Sequence, residues 1–250
     1  MESHILQWKE ILESFEFFDQ TRKYIRRPRV AEVCCGHGLI GVLYAMLEES
    51  VDEVLLTDAR IPPSQAKVIS AASALAPWID GKLTVADKEI TETHALVNPD
   101  TSIVSSHGCG ALTDQAIDLG ISTRGSVAVM PCCCHPRSPD APEVLYRELG
   151  IKDGVDVYRT YKLHAAGRRV LWRYIPEAIT PMNRILIGAA RCPPLQLSPN
   201  NSKRCVLKTP DRWVCHIFHV CVDISISRFP GRHIFLTERF YRCPHNLGDR

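Results

Sequence analysis

The chain has 250 residues, an apolar fraction of 45% and a formal net charge of +2. It is long and apolar enough to fill the core of one large α/β domain with an appendage, which excludes a chain too small or too polar to fold. So small a net charge gives no electrostatic case for a nucleic-acid partner, and the cluster Arg22, Lys23, Arg26, Arg27 and Arg29 is read as a solvated helix end.

No stretch reaches the roughly 18 to 20 apolar residues that span a bilayer, so no membrane partner is expected. The start Met1-Glu2-Ser3-His4 has no charged-then-apolar signal pattern, and an intracellular, cytoplasmic protein is the expectation. Eleven cysteines would suggest disulfides in a small secreted chain. Here several fall in apolar strand runs and three are consecutive at Cys132 to Cys134, which suits reduced thiols.

Residues 1–28 carry Ile5, Leu6, Trp8, Ile11, Leu12, Phe15 and Phe18 at three- and four-residue spacing, which predicts an amphipathic helix that packs on a sheet or lids a cofactor. Strand and helix patterns then alternate. Strands are predicted over Arg29 to Cys34, Glu53 to Thr57, Leu83 to Ala86, Ser102 to Ser106 and Ser126 to Met130. Helices are predicted over Leu39 to Glu49, Ser64 to Ala76, Leu112 to Leu119 and around Pro142 to Leu149. This βαβ repetition gives a mainly parallel, Rossmann-like sheet with helices on both faces.

The order changes at Arg169 to Ile175 and Arg184 to Ala189, two strand-like runs separated only by the turn-rich 176–183. A connection that short cannot hold a helical crossover, so the two runs are predicted to pair as an antiparallel hairpin. The whole is then a seven-stranded sheet over residues 29–190. Residues 191–250, with Cys192-Pro193-Pro194 and Ser198 to Ser202 as breakers, form an extension with irregular strand-like pieces and no assigned role.

Val30 to Gly41 reads Val-Ala-Glu-Val-Cys-Cys-Gly-His-Gly-Leu-Ile-Gly, a strand that breaks into a glycine turn and continues as a helix. Gly36 and Gly38 allow the backbone to approach a ligand, while Cys34 stands where a further glycine is conventional. Glu32 on the strand suits the amino group of a cofactor, and Asp58 at the end of the second strand suits a ribose diol. Asp87 closes the third strand, where an adenine amine is read. The pattern Gly36-x-Gly38-x-x-Gly41 is shared by dinucleotide-binding and methyl-transferring folds, and the closing hairpin favours S-adenosyl-L-methionine as the cofactor.

The run Ser102 to Asp114 puts His107, Cys109 and two glycines at the carboxyl end of the fourth strand, where open α/β sheets hold their reacting groups. His107 and Cys109 are the candidate catalytic residues, and Thr113 or Asp114 is expected to cap the next helix. The cysteines at 132–134 with His135, and the later Cys215, His216, His219 and Cys221, lack paired Cys-x-x-Cys spacing, so no metal is assigned.

The segment His107-Gly108-Cys109-Gly110-Ala111-Leu112-Thr113-Asp114 resembles the His-x-Cys-Gly-x-x-Thr-Asp motif of a class I methyltransferase group. That group contains tRNA 2′-O-methyltransferases and the methyltransferase-like 25 proteins. Pro131 to His135, Asp58 to Ser64 and Ile179 to Arg184 are similar to further segments of that group. The resemblance covers Arg29 to Ala190 and implies methyl transfer from S-adenosylmethionine to an RNA or protein acceptor. Two other readings stay open: a noncatalytic Rossmann-like partner-binding protein, and an NAD(P)-dependent short-chain oxidoreductase suggested by Tyr158-x-x-x-Lys162.

Overall fold

Val30, Ala31, Glu32 and Val33 are all buried, which is why the run reads as continuously apolar with one acid in it. A strand covered on both faces has no solvent side to alternate with. In the computed structural model, residues 6–131 and 141–190 are described, together with the backbone of three short strands, β8 to β10, at Val214–Cys215, Cys221–Ser225 and Thr237–Tyr241. The first half of the chain gives α1 (Trp8–Ile25), β1 (Arg29–Val33), α2 (Leu39–Leu47), β2 (Glu53–Asp58), α3 (Pro63–Leu75) and β3 (Leu83–Asp87). There follow α4 (Ile90–Thr93), β4 (Ser102–Ser106), α5 (Ala111–Ser122), β5 (Val127–Met130), α6 (Glu143–Ala165), β6 (Arg169–Tyr174) and β7 (Arg184–Ala189).

The sheet has seven strands in the order β3-β2-β1-β4-β5-β7-β6. The first five are parallel, and β7 is antiparallel to both β5 and β6. The predicted hairpin forms in full register from Arg169↔Ala189 to Tyr174↔Arg184. Its turn is closed by Ile175 N donating to Asn183 O at 3.0 Å and Asn183 Nδ2 donating to Ile175 O at 2.8 Å. Winding reverses between neighbours β1 and β4, so the loops after these two strands leave the same sheet edge side by side.

Alternation along β1 divides the core. Ala31 and Val33 join Ile103, Ala116, Ile117, Leu119, Val127 and Leu163, the cluster beneath α5 and α6. Glu32, pointing the other way, bonds to the first turn of α2. Helix α1 packs on α2 and reaches β4, β5 and β7. Its buried residues are Ile11, Glu13, Phe17, Phe18, Thr21 and Ile25, whereas Trp8, expected on the apolar face, is 46% exposed. Among the described residues no helix is long and apolar enough to cross a membrane.

One helix runs further than expected. The helix predicted around Pro142 to Leu149 continues past a break at Gly150, with φ 76° and ψ 166°, to Ala165. Glycine tolerates that backbone, so the second half resumes with Tyr158 and Lys162 inside it. At the other end of its packing partner, Arg168 is 9% exposed and donates to the carbonyls of Gly120 at 2.9 Å, Gly125 at 2.8 Å and Thr123. A cation among the last carbonyls of α5 satisfies acceptors that the helix leaves unpaired.

Residues 194–250 form a separate compact unit. Its described strands make an antiparallel sheet of order β10-β9-β8.

Candidate active site

After Val33 the chain must reverse within a few residues to start α2, and three left-handed residues accomplish it: Cys34 at φ 53°, Gly36 at φ 49° and Gly38 at φ 72°. Cys34 therefore keeps the backbone of the glycine it replaces. A side chain at Gly38 would come 2.9 Å from Leu56 Cδ1, so glycine is required there by space as well as by φ. Gly36 is the opposite case. Nothing lies within 4 Å of where its Cβ would be, which leaves the backbone open to a ligand.

The turn is pinned from β2 and α3. Cys35 N donates to Thr57 O at 3.0 Å, and Gly36 N donates to Asp58 Oδ2 at 2.9 Å. Asp58 Oδ1 accepts from Arg60 N at 3.0 Å. Each oxygen of a carboxylate has two acceptor positions, so Asp58 can hold the turn and still accept a pair of hydroxyls. Gln65 Nε2, buried, donates to Gly36 O at 2.9 Å. Asp87 lies opposite Asp58 in the register of β2 and β3 and is exposed at the strand end.

Glu32 is placed differently from a ligand-facing acid. It is 3% exposed, and its Oε2 accepts from Gly41 N at 2.6 Å. Burial pushes its carboxyl up to about 8, opposed by the Gly41 hydrogen bond and reinforced by the charge of Asp58. The structure thus gives Glu32 a partner in the first turn of α2, beneath the glycine turn. The Cys34 thiol is likewise pushed up to about 11, first by burial and then by Asp58 and Cys109, which keeps it protonated at neutral pH.

The second loop begins at His107, itself at φ 67°, whose N–H donates to Met130 O at 3.2 Å. His107 and Cys109 are both exposed. The expected cap of α5 by Thr113 or Asp114 is not what forms, because α5 starts at Ala111 with Gly110 as its N-cap residue. Thr113 Oγ1 instead donates back to Gly108 O, closing the loop on itself. Asp114 receives Arg159 in a two-point pair at 2.9 and 3.0 Å, and the same guanidinium donates to Gly110 O at 3.2 Å.

Helix α1 supplies residues that the motif reading missed. Glu13 Oε2 lies 3.0 Å from His107 Nε2, and Glu10 Oε2 lies 3.8 Å from His37 Nε2, whose Nδ1 is 2.7 Å from Ser64 Oγ. The apolar stripe read from the sequence leaves out both Glu13 and Phe17, which the structure buries, so its spacing gave no signal for Glu13. Lys162 of the Tyr-x-x-x-Lys pattern is taken up by Asp118 at 2.6 Å. The consecutive cysteines and His135 lie outside the described residues, as do the side chains of Cys215, His216, His219 and Cys221. Among the described residues no three His, Cys, Asp or Glu side chains are grouped to hold a metal.

Of the expected site residues, Gly36 and Asp58 are joined directly, and Gly38, Cys34 and Glu32 surround them. His107 and Cys109 stand on the neighbouring loop, and Asp87 on the far side of Asp58.

Among solved structures the chain is similar to a protein provisionally described as an O-methyltransferase from Nostoc punctiforme. The identity is 14% and the TM-score 0.47, over 72% of this chain and 57% of that one, so the chain spans little more than half of that relative's length. It is also similar to cofactor-bound Rv0187 from MTB, with 14% identity and a TM-score of 0.48 over 74% and 81% of the two chains. The 16S rRNA methyltransferase KamB gives 20% identity and a TM-score of 0.41 over 69% and 92%. A search of curated proteins returns no match. Residues 7–137, more than half of the chain and including α1, match the family model described as a methyltransferase domain, and the protein belongs to that family.

Proposed function

We propose that the protein transfers the methyl group of S-adenosyl-L-methionine to a hydroxyl or amine of an RNA or protein acceptor. The observation that carries this reading is the bond from Gly36 N to Asp58 Oδ2. It draws an open glycine backbone and a strand-end carboxylate together at the reversal point of a parallel sheet, where a nucleoside binds. In this reading Asp58 holds the ribose hydroxyls, Gly36 and Gly38 admit the cofactor backbone-close, and Asp87 reads the adenine amine. Glu32 and Cys34 shape the turn from below and from its first residue. The cofactor, when bound, supplies an electrophilic sulfonium methyl group.

The protein's own part is orientation and proton handling, which are enough for a displacement in a desolvated site. His107, exposed on the adjoining loop, takes the proton of the attacking hydroxyl or amine, and Cys109 lies two residues on, beside the acceptor. The resemblance of His107 to Asp114 to the group with tRNA 2′-O-methyltransferases supports a macromolecular acceptor.

Calorimetric titration with S-adenosylhomocysteine and, separately, with NAD(H) tests the cofactor. Saturable binding of the first alone is expected; binding of NAD(H) alone would overturn the reading, and binding of neither would favour a noncatalytic partner-binding fold, which Cys34 in a glycine position invites. Incubating RNA and protein fractions of cells with methyl-labelled cofactor, followed by mass spectrometry, then names the acceptor.

A further inference from the structure

Glu13 lies on the buried face of α1 with its side chain 2% exposed. A carboxylate in such a place loses hydration, and the loss is recovered only through close partners. Its Oε2 has His107 Nε2 at 3.0 Å, but its Oε1 makes no hydrogen bond, with Lys9 Nζ 3.6 Å away. A hydrophobic residue at this position would serve packing better. The pair is also lopsided, since the His107 side chain is 43% exposed while its acid is sealed in the interior. The φ of 67° at His107 adds a backbone conformation that residues with a Cβ rarely adopt. Strained backbone and buried acid together hold an imidazole at the mouth of the loop after β4.

An ionised carboxylate only accepts hydrogen bonds. A neutral ring that hydrogen-bonds to Glu13 through the nitrogen facing it carries its proton on Nε2, which leaves the lone pair on Nδ1. One helical turn earlier, Glu10 faces His37 of the loop after β1, so α1 lies along both loops that form the site.

We propose that Glu13 is a positioning residue for His107, fixing the ring and keeping its proton on Nε2 so that Nδ1 accepts the proton released by the methyl acceptor. This rests on the reading of the protein as a methyltransferase with His107 as its base. In the step, a bond forms between the acceptor oxygen or nitrogen and the methyl carbon, and the sulfur–methyl bond breaks with its electron pair passing to sulfur. The acceptor's proton goes to Nδ1, and the resulting imidazolium is balanced by Glu13.

Long-range proton–nitrogen NMR of the full chain tests the pairing without needing an acceptor, with the His107 signals identified by their loss in His107→Asn. The expected wild-type pattern is a protonated Nε2 and an unprotonated Nδ1 at His107. Glu13→Gln, which keeps an acceptor oxygen, is expected to retain it, and Glu13→Ala to give mixed tautomers. An Nδ1-protonated ring in the wild type, or an unchanged tautomer in Glu13→Ala, would overturn the proposal. With the acceptor fraction in hand, Glu13→Ala is expected to lower kcat at least about tenfold, with KM and the Kd for S-adenosylhomocysteine within about twofold, and Glu13→Gln to recover part of kcat. A full kcat in Glu13→Ala would overturn it as well. If the wild type binds no S-adenosylhomocysteine, the methyltransferase reading fails, and the tautomer measurement still decides whether Glu13 sets His107.

Discussion

At Cys34 the backbone takes φ 53°, a region that costs a residue with a Cβ about 1–2 kcal/mol. Glycine there would relieve that strain while adding about 0.5–1 kcal/mol of chain entropy to the unfolded state. Strain relief in Cys34→Gly is offset by that entropy and by the lost packing of the thiol on the core, so its stability is expected to change by less than about 1 kcal/mol, and Cys34→Val to lower stability, both read from urea unfolding midpoints. The departure from a glycine was visible in the sequence, but its backbone conformation was not, because a Cys that ends a strand in extended geometry reads the same. Glu32 was legible as an acid beside the turn and not as a buried one, since nothing in its neighbours announces the Gly41 N–H that it accepts. Its burial has a pH signature. An unfolded Glu titrates near 4.5 and this one is pushed up to about 8, so between those values the folded protein binds the extra proton. The corresponding stability is present at low pH and lost as pH rises from about 4.5 to about 8. Glu32→Gln keeps an acceptor for Gly41 and removes the titration, so its unfolding free energy is expected to vary less than that of the wild type from pH 5 to 8. Parallel pH profiles would show that Glu32 is not the titrating group.

Helix α5 and its neighbours show how a sequence motif can be right about place and wrong about role. Thr113 and Asp114 follow a glycine-rich loop as capping residues do, yet the helix begins earlier, at Ala111, and Asp114 is spent on Arg159 of α6. That partner is 45 residues away in the chain, too far for any local pattern to reveal. The same holds for Glu13, which the predicted apolar stripe leaves out and whose contact with His107 joins distant parts of the chain. The hairpin β6–β7 was legible because its turn is short and the alternatives need a helix. The length of α6 was not, because Gly150 looks like a stop and acts as a break that the helix survives. Two ion pairs between α5 and α6 predict very different costs. Arg159 and Asp114 are almost completely buried, and Asp114→Ala removes the two-point partner of a guanidinium that keeps Asp156 at 3.5 Å and Gly110 O at 3.2 Å, so it is expected to destabilise by about 2–3 kcal/mol. Lys162 and Asp118 meet at the surface, with the aspartate half exposed, and Asp118→Ala is expected to cost less than about 1 kcal/mol. Chemical denaturation of the two variants with unchanged m-values checks the contrast.

Across the whole molecule, the order β3-β2-β1-β4-β5-β7-β6 gathers the loops after β1, β2 and β4 at one edge, which brings the loops of Cys34 and His107, 73 positions apart in the chain, side by side. The fold predicted from βαβ repetition and a closing hairpin is the one observed, because each of its steps depends on connection length and periodicity rather than on distant contacts. A site at that edge links ligand binding to global stability. S-adenosylhomocysteine at about one hundred times its Kd is expected to stabilise the wild type by about 2.7 kcal/mol. Asp58→Ala removes both the expected ribose acceptor and the anchor of Gly36 N, a loss on the order of 2 kcal/mol in binding for charged hydrogen bonds. That weakens Kd roughly thirtyfold. At the same ligand concentration the stabilisation of Asp58→Ala should then fall to about 0.9 kcal/mol, with Asp118→Ala, outside the site, keeping about 2.7. Thermal and chemical unfolding with and without ligand measure all three proteins. If Asp58→Ala gains as much from the ligand as the wild type, the ribose lies elsewhere, and the strand-end carboxylate holds only the turn.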